Sequence, residues 1–438
     1  MPMGPSLIFD KSSFESLNLD EAVMMDNFYM STITPLFFDE CLADLEKAMR
    51  SKSTPEQLVG SLANRTPDVQ GNPNAHHLNI LQAELSRQLD FTRIMGRVAL
   101  AGGRNVQLGD KKGVIYKQSQ EADAFIRWSR REFLDVEREI AKRWRRSLMA
   151  IDFEAMVTRV SEEIGPWRLP KSLADAKMIA DTVIDYLDPE FLLRFGLDLL
   201  GVSEATEWVV NHWKEQRSPN LRAHVPYFVF LLTINIFFCL ILPTQLLRNV
   251  KPSHQVDLAY LYYLPFCSVF TSKDRFHSQI VPLFLSPMQD FVNGIEFKED
   301  MSRLVAYYSA LPEDVLKTGL MNFAAHPPDD KTFSSTRMWD KYLPTWRQLK
   351  DRPKIPRDPE KDRLLMAELK RMSESPDLQH DDKKREMDSS DYVTLERRLF
   401  PQKGRWLRFS EDQINRMREN ATSSSKQGIR YLHFYQFS

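Results

Sequence analysis

The apolar segment VPYFVFLLTINIFFCLIL, residues 225–242, constrains the fold of this chain more than any other feature, because so apolar a run must be shielded from water. As a helix it is long enough to cross a bilayer, and Arg222 and Arg248 flank it. However, Thr233 and Asn235 interrupt it, it is the single such run in the sequence, and charged sequence continues on both sides. We therefore predict a buried core helix in a large domain, with a membrane anchor as the alternative.

The composition predicts a cytoplasmic globular protein. The chain has 438 residues, 42% of them hydrophobic, which is enough to bury a substantial core. Cys41, Cys239 and Cys267 lie in apolar sequence without metal-binding spacing, as is typical of buried thiols in a reducing compartment. The first residues lack the regions of a signal peptide. The sequence also lacks the motifs of NTPases, dinucleotide-binding proteins, nucleophile-elbow hydrolases and zincins.

Acidic residues follow two apolar runs that predict buried strands. SLIFD ends at Asp10, and CSVFTSKD ends at Asp274. If these strands are parallel neighbours, both acids lie at the carboxyl edge of one sheet, where α/β proteins bind ligands. Glu40 lies near the start of a helix predicted over 35–50, and Asp257 begins the helix before the second strand. Four carboxylates from four elements are therefore expected to converge.

Converging carboxylates point to a divalent cation. Carboxylates a few ångströms apart repel each other and raise each other's pKa, and a cation removes this repulsion. Ligation by oxygen alone favours Mg²⁺ or Mn²⁺ over zinc, and such ions activate a water for attack on a phosphodiester. The spacing by itself leaves open the alternative that these acids are solvated or cap helices.

Three segments resemble PIN and PIN-like domains, and they occur in the family's order. IFDKSS is similar to the opening strand motif, and TPLFFDECLADL is similar to the helix that supplies a glutamate, here Glu40. DLAYLYYLPFCSVFTSKDRFHS resembles the stretch in which an Asp opens a helix, a Pro and a Cys lead into a strand, and a hydroxyl residue precedes the last Asp. The matching residues are Asp257, Pro265, Cys267, Ser272 and Asp274.

The resemblance covers residues 5–48 and 250–310 and implies an α/β fold with a parallel-sheet PIN-like core in which helices dominate. The predicted domain boundaries are a discontinuous core at 1–50 and 221–325, an α-helical insertion at 51–220, and a charged C-terminal extension at 326–438. Within this extension the low hydrophobicity of residues 373–391 predicts partial disorder.

The same resemblance implies a metal-dependent nuclease that hydrolyses phosphodiester bonds, most often in RNA. The residues expected to bind Mg²⁺ or Mn²⁺ are Asp10, Glu40, Asp257 and Asp274. Ser272 would orient a carboxylate or a metal-bound water, and Asp39 is the alternative to Glu40 as the helix acid. Ser268 stands where many relatives have a further Asp. A non-catalytic PIN-like interaction protein is therefore the alternative function.

The basic stretch from Arg127 to Arg146 predicts a surface for nucleic acid, with RNA as the expected partner whose phosphates it would contact. Trp128 and Trp144 lie among these arginines and could stack on bases, although core tryptophans are the commoner case. Interleaved acids make a solvated, salt-bridged helix face the alternative. His277, three residues after Asp274, is more typical of a core histidine than of a pocket residue.

Overall fold

A computed structural model of the chain has an α/β fold in which helices predominate. The structure describes residues 4–47, 53–68, 75–86, 104–108, 111–116, 119–165, 168–217, 219–247, 251, 253–350, 360, 364, 367, 371, 392–420 and 429–436. The stretch 373–391, for which the sequence predicts partial disorder, lies outside the described residues.

The strands are β1 Ser6–Phe9, β2 Met30–Thr32, β3 Arg104–Leu108, β4 Lys111–Tyr116, β5 Val269–Ser272, β6 Asp290–Asn293, β7 Tyr392–Leu399, β8 Gln402–Lys403, β9 Trp406–Leu407 and β10 Ile429–Gln436. The helices are α1 Lys11–Glu15, α2 Leu19–Phe28, α3 Pro35–Ala43, α4 Pro55–Arg65, α5 His77–Leu85, α6 Gln120–Ser129, α7 Asp135–Met149, α8 Phe153–Ile164, α9 Leu173–Tyr186, α10 Pro189–Leu199, α11 Thr206–Glu215, α12 Leu221–His224, α13 Pro226–Ile241, α14 His254–Tyr260, α15 Arg275–Ile280, α16 Gly294–Ser309, α17 Glu313–Leu316, α18 Leu320–Phe323, α19 Ser334–Tyr342, α20 Trp346–Lys350 and α21 Glu411–Asn420.

A four-stranded parallel sheet, in the order β2-β1-β5-β6, organises the fold. Ile8 of β1 pairs in register with Phe270 of β5, which pairs in turn with Phe291 of β6. The prediction that the strands preceding Asp10 and Asp274 are parallel neighbours is thus confirmed. Both acids follow the carboxyl ends of adjacent strands, at the same edge of the sheet.

Apolar residues cover both faces of this sheet. On one face Leu7, Phe9 and Val269 pack with helices α1–α4 and α16. On the other face Ile8 and Phe270 pack with α5, α9, α10 and α13. Alternate residues of each strand thus enter opposite cores, as strand geometry requires, and the result is a layered α/β/α arrangement.

The apolar segment of residues 225–242 forms α13, and its burial confirms the prediction of a core helix. Thirteen of its residues are buried. Among the described residues, no helix combines the length and apolar character needed to cross a membrane. The start of α13 is capped from a distance, because the buried Glu84 carboxylate accepts hydrogen bonds from the amides of Tyr227 (2.7 Å) and Phe228 (2.8 Å). A carboxylate suits this position, since helix N-termini carry unpaired N–H groups and a partial positive charge.

Segments predicted as insertion and extension contribute to the same cores. β3 and β4, which are strands, lie within the predicted helical insertion at 51–220. Beyond residue 326, Trp339 and Trp346 are fully buried, and the Trp339 indole donates to the Phe28 carbonyl at 2.7 Å. Arg408 is buried as well and pairs with Asp26 at 3.0 Å. The described part of the C-terminal region therefore includes anchored core elements, although its composition is charged.

We expect Glu84→Gln to lower the free energy of unfolding by about 1.5–3 kcal/mol, because two buried amides would lose a charged acceptor. Urea denaturation measures this change. Glu163→Gln, at an exposed position of α8, is the matched control and should change stability by less than about 0.5 kcal/mol. Equal stability of the two variants would contradict the capping role of Glu84.

Candidate functional site

The four predicted acids are carried by four elements that meet at the carboxyl edge of the sheet. Asp10 follows β1 and caps α1, accepting from the Ser13 amide at 2.8 Å. Asp274 follows β5 and caps α15, accepting from the Phe276 amide at 2.6 Å. Glu40 lies on α3, and Asp257 lies on α14. We refer to Asp10, Glu40, Asp257 and Asp274 as the acidic cluster.

The hydroxyl of Ser272, the last residue of β5, connects two members of the acidic cluster. Its Oγ lies 2.7 Å from Asp10 Oδ2 and accepts a hydrogen bond from the Asp274 amide at 2.9 Å. Ser12 donates to the same Asp10 oxygen at 2.6 Å. Ser272 is fully buried, so its hydroxyl has little freedom. It therefore holds the Asp10 carboxylate in a defined orientation beside the start of α15.

His277 completes this network and is the main residue whose role the sequence does not reveal. It is fully buried, with Nδ1 2.8 Å from Ser272 Oγ and 3.5 Å from Asp10 Oδ2. Its Nε2 lies 2.7 Å from the Asp257 carbonyl oxygen. The only signal in the sequence is its position one helical turn after Asp274, and that position alone does not identify the partners.

The surroundings of His277 favour the imidazolium form. A carbonyl oxygen can only accept a hydrogen bond, so Nε2 must carry a proton. Nδ1 faces Asp10, so a second proton there is stabilised by the carboxylate. Burial lowers the pKa of His277, but the hydrogen bond and charge of Asp10 outweigh burial and raise it to about 9. Burial likewise raises the pKa of Asp10, yet His277 and the hydroxyls of Ser12 and Ser272 bring it below its ordinary value.

In the part of the chain that the structure describes, Glu40 and Asp257 have no such cationic partner at hydrogen-bonding distance, and the pKa values of both carboxyls are raised. Glu40 accepts a 2.5 Å hydrogen bond from the buried Tyr260 hydroxyl. Burial, with repulsion from Asp257 and Asp10, nevertheless raises the pKa of Glu40 to about 7. Burial, with repulsion from Asp274 and Asp10, also raises the pKa of Asp257 to about 7. Glu40 and Asp257 are thus close enough to other members of the acidic cluster to be affected by their charge.

The choice between Asp39 and Glu40 is decided by their neighbours. The carboxyl of Glu40 contacts Tyr260 of α14 and is repelled by two other members of the acidic cluster. Burial raises the pKa of Asp39 to about 6, and the charge that adds to this effect is Glu121 on α6. Glu40 therefore faces the acidic cluster, and Asp39 faces a different part of the molecule.

Ser268 lies at the opposite end of β5 from Asp274. Its amide donates to Ser6 Oγ at 2.8 Å, beside the amino end of β1. Ser268 lies four positions before Ser272, so the two residues are on the order of 13 Å apart at the usual rise per residue. An acid at position 268 would therefore not reach the acidic cluster, and the departure at Ser268 has no direct bearing on that cluster.

The chemistry of the acidic cluster suits a hard divalent cation, but the side chains do not converge on one point. Among the described residues, no three His, Cys, Asp or Glu side chains are placed to share a metal ion. Asp10 bonds to Ser12 and Ser272, and Glu40 bonds to Tyr260. Asp10 and Glu40 would each have to exchange a hydroxyl partner for the ion. All-oxygen donors and two carboxyls with raised pKa values fit Mg²⁺ or Mn²⁺ in kind.

The basic stretch 127–146 forms two helices rather than one. α6 ends at Ser129, the turn includes Arg131 with a φ of 64°, and α7 begins at Asp135. Trp128 is fully buried and stacks on Phe38 with 4.7 Å between ring centroids, so it cannot stack on a base. Trp144 is partly buried against the core.

The cations of α6 and α7 are partly neutralised by neighbouring acids. The ion pairs are Arg127 with Glu137 at 2.6 Å, Arg138 with Glu56 at 2.9 Å and Lys142 with Glu139 at 2.9 Å. Arg143 and Arg146 are exposed and form no ion pair with another described residue. α7 packs along α3, the helix that carries Glu40. The exposed cations therefore lie on a helix that adjoins one element of the acidic cluster.

Comparison of the chain with protein-family models, curated proteins and solved structures gave no match.

We expect the stabilising effect of His277 to be lost at alkaline pH. Because its pKa in the fold, about 9, exceeds the unfolded value of about 6.5, its contribution is complete below about pH 6.5 and disappears as pH rises through about 9. The lowered pKa of Asp10 gives the opposite sign, a contribution lost only as pH falls into the acid range. The difference in unfolding free energy between wild type and His277→Gln should therefore shrink by about 2–3 kcal/mol between pH 6.5 and 9.5.

Urea denaturation across this pH range measures the difference, with EDTA present throughout. His212→Gln is the control, since that ring is 35% exposed and lies on α11. A difference for His277→Gln that stays constant from pH 6.5 to 9.5 would show that the buried ring is neutral.

Proposed function

We propose that the chain is a PIN-like nuclease that hydrolyses phosphodiester bonds, with RNA as the first substrate to test, and that the acidic cluster binds Mg²⁺ or Mn²⁺. The observation that carries the proposal is the meeting of Asp10, Glu40, Asp257 and Asp274 from four separate elements at the carboxyl edge of a parallel sheet. This edge is where α/β folds bind ligands.

Electrostatics support a cation at this position. The carboxyls of Glu40 and Asp257 have pKa values raised to about 7 by desolvation and by repulsion from other members of the acidic cluster. A divalent cation would replace their protons and relieve this repulsion. When bound, the ion would supply an activated water and stabilise the leaving oxygen of a phosphodiester.

The side chains around the acidic cluster have separate tasks in this proposal. Ser272 and His277 hold the Asp10 carboxylate in orientation, and Tyr260 holds Glu40. Asp274 is fixed at the start of α15 through its cap. Lys273, exposed between Ser272 and Asp274, would contact a substrate phosphate.

A metal-independent interaction protein is the second candidate, and a specific observation favours it. The imidazolium of His277 lies 3.5 Å from Asp10 and compensates its charge from within the protein. Together with the lack of a three-ligand arrangement among the described side chains, this ion pair is what a structural acidic cluster requires. Metal titration distinguishes the two functions, because only the nuclease needs the ion.

We expect the wild-type protein to cleave RNA in the presence of Mn²⁺ or Mg²⁺. Asp274→Asn should cleave at least about 100-fold more slowly, since removal of one ligand weakens the metal site. Asp10→Asn should have a similar effect. Asp39→Asn is the matched control, because Asp39 neighbours Glu40 in sequence but faces Glu121. Cleavage of labelled RNA and DNA, with EDTA as the blank, provides the measurement.

The outcomes separate the candidates. Isothermal titration should detect Mn²⁺ binding to wild type and to Asp39→Asn but not to Asp274→Asn. A folded wild-type protein that neither binds Mn²⁺ nor cleaves would support the interaction protein. Cleavage that survives in Asp274→Asn would place any activity elsewhere in the chain.

We expect the double variant Arg143→Gln/Arg146→Gln to bind single-stranded RNA more weakly and to reduce the salt dependence of binding. Loss of two phosphate contacts should lower the slope of log K against log salt by about 1.4, at about 0.7 per contact. Arg159→Gln/Arg194→Gln, on α8 and α10, is the control. Equal slopes for all three proteins would remove α7 from the RNA-binding surface.

A further inference from the structure

A cavity of about 390 Å³ opens at the amino edge of the parallel sheet, the opposite edge from the acidic cluster. Pro265 and Gln289, which precede β5 and β6, form part of its lining. Helices α9, α12 and α13 and the segment 283–286 supply the rest of the wall. Its volume falls within the range of small-molecule sites, ~300–1,000 Å³.

The inner wall of this cavity is aromatic and apolar. Tyr227, Val229 and Phe230 of α13 line it together with Phe284. The rings of Phe230 and Phe284 are perpendicular, with centroids 6.3 Å apart. Such a wall suits a flat apolar body, because ring edges and faces offer large contact areas without requiring hydrogen bonds.

Among the charged residues that line the cavity, cations outnumber acids. Lys177 and Arg222 line it with a single carboxylate, Asp181, which lies 2.5 Å from the lysine and 3.6 Å from the arginine. The other partner of Arg222 is Asp185, whose side chain is 57% exposed and does not line the cavity. The Lys177 ammonium lies 5.3 Å from the centre of the Phe284 ring. An anionic group at the rim would therefore meet two cations, in competition with Asp181 in the lining and with Asp185 for Arg222.

One polar atom in the lining has no hydrogen-bond partner among the described residues. The Oγ of Ser286 is buried and unsatisfied. Its neighbour Gln289 is fully used, since its Oε1 accepts from the Ser286 amide and its amide group donates to the carbonyls of Leu264 and Cys267. A buried hydroxyl without a partner is unfavourable, so a polar ligand atom beside Ser286 would be stabilised.

We propose that this cavity is a binding site for a small amphipathic anion, a molecule with a flat aromatic or apolar body and one acidic group. The body lies against Phe230 and Phe284, and the acidic group lies at the rim against Arg222 and Lys177. The proposal is independent of nuclease activity, because none of these residues belongs to the acidic cluster.

Two fluorescent probes that differ by one charge test the proposal on the full-length protein. 8-Anilinonaphthalene-1-sulfonate has the proposed combination of aromatic body and anion, and N-phenyl-1-naphthylamine is its uncharged counterpart. Arg222→Met removes the rim cation. Arg194→Met is the matched control, because the two side chains are 41% and 39% exposed and both pair with acids. Ser286→Trp fills the cavity.

We expect saturable binding of both probes at one site of the wild-type protein. Arg222→Met should lower the affinity for the sulfonate probe at least about fivefold, because a charge-assisted contact is lost. The affinity for the neutral probe should not change. Arg194→Met should leave both affinities unchanged, and Ser286→Trp should abolish both. Circular dichroism checks folding, and Leu285→Trp replaces Ser286→Trp if that variant does not fold.

Two results would overturn the proposal. One is an equal affinity of wild type and Arg222→Met for the sulfonate probe, which would show that charge at the rim does not select the ligand. The other is unchanged binding of both probes by the folded, cavity-filled variant, which would show that they bind elsewhere.

Discussion

The ion pair between Asp10 and His277 is the interaction on which the carboxyl edge of the sheet depends. Two fully buried residues, Ser272 and His277, connect the carboxylate of Asp10, which follows β1, to two helices. These helices are α15, which follows β5, and α14, which precedes β5. A buried carboxylate is stable only when charge and hydrogen bonds compensate its lost hydration. His277 supplies the charge, and two serine hydroxyls supply the hydrogen bonds. The edge is therefore held together by groups that lie 262 residues apart in the sequence.

This compensation is unequal across the acidic cluster, and the inequality is informative. Asp10 has its counter-charge inside the protein, so its pKa is lowered. Among the described residues, Glu40 and Asp257 have none at bonding distance, so burial and repulsion raise their pKa values to about 7. Near neutral pH these two carboxyls are therefore partly protonated. This state supports the proposal of metal binding at Glu40 and Asp257 more directly than at Asp10.

The sequence predicts the elements that apolar patterns define and misses those defined by distant contacts. The runs before Asp10 and Asp274, the Thr-Pro start of α3 and the apolar α13 all follow local rules, and the structure confirms them. β6 is short, and its four residues include polar Asp290 and Asn293, so no local pattern indicates it. Partners such as Tyr260 for Glu40 are 220 residues apart. Charge patterns likewise conceal burial in the C-terminal region, where Trp339 and Arg408 enter the core.

The short strands of the parallel sheet place an acidic edge and an aromatic edge close to each other. At the carboxyl ends of β1 and β5 the chain leaves acids, because the next residues begin helices whose free amides need capping oxygens. At the amino ends of β5 and β6 the incoming chain is apolar, and Gln289 satisfies the carbonyls left by Leu264 and Cys267. The direction of the strands thus makes one edge acidic and the other aromatic, and β5 forms part of both.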